Sequence, residues 1–215
     1  MSTWTSRSTV LGLVACTLAS CASLIPGRAV ESVPVAGGAV VITGPPGYCI
    51  DSSASRPGGS RAFVLLGSCA SISGDPEAPA PTVPAVLTAS VVQTPPGGMA
   101  DALEELEAFF ETEEGRAALA RDGQASAVEV LGRERRGDAL YLRVRDASAE
   151  AMPGTAETYW RGLFGLNGQL VTLAVISFSA QPLSRPAGLA TLEAFEDRLR
   201  AASARALADA SAEEG

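Results

Sequence analysis

Apolar and polar positions along the chain repeat with a period near two in some segments and near four in others. Ala39-Val40-Val41-Ile42-Thr43 is β-branched and is followed by Gly44-Pro45-Pro46-Gly47, so it reads as a short strand. Ala62-Phe63-Val64-Leu65-Leu66 reads as a second. Residues 74–84 hold four prolines and form a connector, after which 85–92 is a third strand ended by Thr94-Pro95-Pro96-Gly97-Gly98. From Met99 the period lengthens: Met99, Leu103, Leu106 and Phe110 recur every three to four residues, with Asp101, Glu104, Glu105, Glu107 and Glu111 on the other faces. This predicts an amphipathic helix whose acidic first turn suits the helix dipole, interrupted at Gly115 and continued over 116–121.

Alternation then returns. Residues 128–135 and 140–145, joined through Arg136-Gly137-Asp138, predict a hairpin with Leu140, Leu142 and Val144 inward and Arg133, Arg135, Arg143 and Arg145 on one wet face. A second hairpin, 159–166 with 169–178, is signalled by Asn167-Gly168, because both central positions of a type I′ turn need positive φ. The almost continuous apolar run 169–178 suits a central strand covered on both sides. Pro182 and Pro186 stop the sheet, and Leu189, Leu192, Phe195 (or Glu196 in strict register), Leu199 and Ala202 define a closing helix with Glu193, Asp197, Arg198 and Arg200 outside. The fold class expected is α+β: one domain over 39–205, an antiparallel sheet packed by two helices, with an acidic disordered tail over 206–215.

Composition narrows the chemistry. All 16 basic residues are arginine, and the chain has neither lysine nor histidine. Schiff-base chemistry, a Walker A lysine, a Ser-His-Asp triad and imidazole metal ligation are therefore excluded. No cofactor and no metal are expected. The formal charge of −8 argues against nucleic acid as a partner. Glu104, Glu107 and Glu111 share a helical face and could gather a cation, but a solvated acidic face explains them as well. Arg133, Arg135, Arg143 and Arg145 could grip an acidic partner, and Tyr159 with Trp160 could form an aromatic binding patch. Core packing at a strand end is the simpler account of those two aromatics.

The amino-terminal segment supplies an address. Arg7 precedes the apolar run Val10-Leu11-Gly12-Leu13-Val14-Ala15, which is too short to span a bilayer, since spanning takes about 20 helical residues. Leu18-Ala19-Ser20-Cys21 closes that run and resembles the signal sequence of bacterial lipoproteins; Leu13-Val14-Ala15-Cys16 also fits the pattern, but h-region length favours Cys21. The resemblance implies a signal peptide over 1–20, cleavage before Cys21, acylation of its sulfur and of the new amino terminus, and a flexible tether over 21–38. It also implies residence on the periplasmic face, with Ala22 favouring the outer membrane of a Gram-negative cell. An exported, oxidising location makes Cys49 and Cys69 a structural disulfide, since they lack the Cys-x-x-Cys spacing of a redox pair.

The element order, ending in a Trp-containing hairpin and a closing helix, resembles the PsbP-like fold over residues 39–205, with no motif that carries functional residues across. Gly47-Tyr48-Cys49-Ile50-Asp51 and Leu66-Gly67-Ser68-Cys69 resemble segments of uncharacterised alphaproteobacterial lipoproteins. The expectation is a non-enzymatic envelope lipoprotein, held on a lipid bilayer by its acylated cysteine, that binds or helps assemble an envelope protein complex. The alternative is a hydrolase or lyase working through carboxylates or a serine, with Asp51, Ser52, Ser68 and Glu157 as its nearest candidates.

Overall fold

The structure, a computed structural model, describes residues 29–94, 99–148 and 153–213. The signal peptide, both candidate lipidation cysteines, Cys21 and Cys16, and the Pro95–Gly98 turn lie outside the described residues. Among the described residues, nine strands and four α-helices follow in the order β1 (Ser32–Val35), β2 (Val40–Thr43), β3 (Tyr48–Ile50), β4 (Arg61–Ser68), α1 (Cys69–Ser73), β5 (Ala85–Gln93), α2 (Met99–Phe109), α3 (Glu113–Leu119), β6 (Val128–Arg136), β7 (Ala139–Asp146), β8 (Thr155–Leu166), β9 (Gln169–Phe178) and α4 (Arg185–Glu213).

Seven strands form one antiparallel sheet in the order β3-β4-β5-β9-β8-β7-β6, while β1 and β2 pair separately. The sheet is two meanders set side by side. β3-β4-β5 and β6-β7-β8-β9 meet where β5 pairs with β9 along its whole length. The α2–α3 segment carries the chain from this central seam to the far edge at β6, and α4 returns across the opposite face. The fold class expected from periodicity, an α+β domain on an antiparallel sheet, is the fold observed.

Strand alternation sends side chains to two cores. On the α4 face, Val64, Leu66, Leu87, Ala89, Tyr141, Trp160, Phe164, Leu173 and Val175 pack with Leu192, Phe195 and Leu199 of the helix and with Val40 and Ile42 of β2. On the other face, Leu140, Leu142, Val144, Tyr159, Leu163, Ala174 and Ile176 pack with Leu103, Phe110 and Leu119 of the α2–α3 pair. That pair covers the β6-to-β9 half of its face; over β4 and β5, Phe63, Leu65, Val86, Thr88 and Ser90 remain half-buried.

Two turns follow directly from residue type. Asn167 (φ 50°) and Gly168 (φ 74°) close β8 onto β9 with Leu166 opposite Gln169, as a type I′ turn requires. Gly137 (φ 59°) and Asp138 close β6 onto β7.

Several expectations are corrected. The tether expected over 21–38 ends earlier, because Val30 bridges Ile50 and Ser32–Val35 pairs with β2, with Val35 buried. Two prolines and three glycines hid this strand. The tail expected to be disordered over 206–215 is helical through Glu213, since alanine and leucine sustain α4 beyond its packed part. The helix break falls between Phe109 and Glu113, not at Gly115: Thr112 caps α3 by accepting the Gly115 N–H at 3.0 Å. Gly115 lies inside α3, where a Cβ would sit 1.9 Å from the Phe109 carbonyl oxygen.

Candidate functional site

The Cys49–Cys69 pair is bonded, with Cα atoms 4.7 Å apart, and joins β3 to the first residue of α1. Both cysteines are buried, so the bond staples a sheet edge and is shielded from exchange.

The four candidate arginines do not share a face. Register places Arg133 opposite Leu142 and Arg135 opposite Leu140, so both stand on the α2–α3 side, whereas Arg143 and Arg145 stand on the α4 side. The bulge between Val130 and Gly132 shifts the alternation of β6 relative to β7, and this separates the arginines. Glu111 lies in the turn past the end of α2 and not on its face; Arg133 donates to it, and Arg135 lies 3.6 Å from Glu107, so two of the three expected glutamates are met by arginines. Glu104 is exposed. Arg145 pairs with Glu129 at 3.0 Å across β6–β7. Within Arg136-Gly137-Asp138, Arg136 pairs with Glu134 and Glu193, and Asp138 accepts from Arg200 at 3.0 Å.

Tyr159 and Trp160 are buried on opposite faces and form no exposed patch. Consecutive strand residues must diverge in this way. The Tyr159 hydroxyl donates to the Leu119 carbonyl at 2.6 Å, and Trp160 packs on Gly188 of α4.

The residues of the hydrolase alternative are dispersed. Asp51 accepts from the Ser53 N–H at 2.9 Å, the Ser53 hydroxyl and the Ala54 N–H. The Ser53 hydroxyl is the main cause holding its carboxyl below the usual carboxylate range, which makes it an ionised turn-former. Ser52 is exposed beside it; Ser68 pairs with Tyr48 two rungs beyond Ile50, and Glu157 is exposed on β8. At about 4.8 Å per strand, β8 lies roughly 19 Å across the sheet from β3.

Two features that periodicity missed are better formed. The first is a buried polar network under α4. Tyr141 donates to Glu196 and Arg200 Nε donates to the same carboxylate, each at 2.7 Å, while the Arg200 guanidinium stacks 4.3 Å over Phe164. Burial first, then the Glu196 carboxylate, pushes the Tyr141 phenol upward, so it stays a donor at any physiological pH. A polar residue on an otherwise apolar helix stripe, Glu196, was the available signal.

The second is a cleft between α4 and the loops around β3. Pro45, Pro46, Tyr48 and Val83 form one wall; Ala187, Ala190, Thr191 and Ala194 recur at helical spacing along the other. Its volume is about 330 Å³, and the alanines leave it open because they carry no bulk beyond Cβ. The Tyr48 hydroxyl donates to the Val83 carbonyl and fixes the wall. A second hollow of about 250 Å³ continues around Pro45 and Pro46 to Glu31 and Arg198, where the amino-terminal segment joins the domain. The cleft offers shape and apolar surface, with Thr82 and Thr191 and no charged side chain among the residues that line it. No protein-family model, no curated protein and no solved structure matches this chain.

Proposed function

We propose that the chain is an exported, lipid-anchored binding module of the cell envelope, acylated at Cys21, whose α4 cleft receives an apolar segment of an envelope protein. The observation that carries this reading is the cleft's position: its continuation ends at Glu31, ten residues after Cys21, a reach that can extend at most about 36 Å. An acylated Cys21 would therefore hold the cleft close to a bilayer surface. The apolar lining, the bonded Cys49–Cys69 pair and the scatter of Asp51, Ser52, Ser68 and Glu157 all favour binding over hydrolysis.

Site-specific photocrosslinking in intact cells tests the proposal, with the photoreactive residue at Thr82 on the cleft lip and, as a control, at Leu131 on the exposed sheet edge. A discrete adduct from Thr82, in the membrane fraction and absent from Leu131, is expected. No adduct from Thr82, or the same adduct from both positions, overturns it.

A further inference from the structure

The end of α3 holds an arrangement that packing alone does not satisfy. Arg121 follows the helix, and its side chain is nine-tenths buried, with only 10% of its surface exposed. Its Nη2 donates to the Ala156 carbonyl at 2.8 Å, but its Nη1 is buried with no hydrogen-bond partner among the described residues. Arg161 on β8 repeats the pattern: Nη1 reaches the Ala118 carbonyl at 3.4 Å, and Nε is buried with no partner among the described residues. Both guanidinium carbons lie 5.5 Å from the centre of the Tyr159 ring, so two positive charges converge on one aromatic side chain.

Asp146 supplies the counter-charge of this cluster, yet it is already engaged. Its Oδ2 accepts the Arg121 main-chain N–H at 2.7 Å, and its Oδ1 accepts from the Ser148 N–H at 2.9 Å and from the Ser148 hydroxyl. The Arg121 Nε stands 3.9 Å away, beyond hydrogen-bond reach. Among the described residues, two guanidiniums stand against one carboxylate, which leaves one positive charge uncompensated and two donors unused. The aromatic ring offsets part of the desolvation by cation–π attraction, but it accepts no strong hydrogen bond. The last carbonyls of α3 do not repel a further anion strongly, because Ala118 and Leu119 already accept from Arg161 and Tyr159.

We infer that Arg121 and Arg161 bind a small oxyanion beside Tyr159, through the two guanidinium N–H groups that have no partner among the described residues. Planar guanidinium donors match the oxygens of a carboxylate or a phosphate. The site lies on the α2–α3 face and is independent of the α4 cleft and of lipid anchoring.

Calorimetric titration of the purified full chain with inorganic phosphate, and separately with acetate, tests the inference at low ionic strength. Saturable binding of one anion per chain is expected, and whichever probe binds tells a free phosphate-type ligand from a carboxylate. Arg161→Gln should weaken it at least about tenfold, the scale of a charge-assisted hydrogen bond. Arg143→Gln, the same charge change on the opposite sheet face, should weaken it less than about twofold. Arg161→Lys keeps the charge but loses Nε–H, and should also weaken binding, which secures the test if the glutamine variant folds poorly. Failure of both anions to bind saturably, or equal loss from Arg143→Gln, overturns the inference.

Discussion

Gly188 shows how a single residue can reverse a general rule. Glycine inside a helix ordinarily costs about 1 kcal/mol relative to alanine. At Gly188, however, an added Cβ would fall 2.5 Å from Trp160 Cδ1 and 2.6 Å from its Nε1. Gly188→Ala should therefore destabilise the fold by about 1–3 kcal/mol, seen as a lower urea midpoint, and a rise in the midpoint would contradict this packing. Tyr48 offers a second test, on the pH axis. Burial pushes its hydroxyl up to about 12, against about 10 in the unfolded chain. The folded state thus holds this proton more tightly, so its contribution is complete below pH 10 and is lost as pH rises from 10 to 12, at about 1.4 kcal/mol per pH unit. Because the chain has no lysine, tyrosines dominate side-chain titration in this window. Burial raises Tyr141 and Tyr159 as well, so Tyr48→Phe should make the alkaline decline shallower without abolishing it. An unchanged slope would show that Tyr48 titrates normally.

At the scale of elements, the disulfide and the polar network hold parts that apolar packing secures weakly. β3 is three residues long and sits at a sheet edge, and α1 is a single turn beside it. Linking Cys49 to Cys69 closes a 20-residue separation, worth about 3 kcal/mol in the chain-entropy account. Replacing both cysteines with alanine should lower unfolding free energy by roughly that amount in denaturant titration; a change below about 0.5 kcal/mol would mean the staple is redundant. Neither β3 nor α1 was legible beforehand, because three residues after a Gly-Pro-Pro-Gly turn and a single five-residue helical turn are too short to carry a period. By contrast β9, α4 and the Asn167-Gly168 turn were legible, since long periodic segments and positive-φ turns leave strong local marks. The face of each arginine on β6 and β7 was not, because a bulge at Leu131 is a property of pairing and not of composition.

Across the whole molecule, the two meanders meet at β5–β9 and are clasped by α4 on one face and α2–α3 on part of the other. The sequence periodicities predict most of the longer elements but not this seam, which depends on partners as far apart as Leu87 and Val175, 88 residues along the chain. The α4 cleft was equally hidden: its walls come from 45–48, 82–83 and 187–194, three segments with nothing in common until the sheet brings them together. The proposed function turns on export and acylation: acylation would place that cleft at a membrane, and export would expose the cysteines of the domain to an oxidising compartment. The most direct measurement is the intact mass of the chain extracted from its native envelope, before and after reduction. A chain that begins at Cys21, carries added acyl mass, and gains the mass of two hydrogens when Cys49–Cys69 is reduced is expected. An unacylated precursor that retains residues 1–20, with both thiols free, would contradict it.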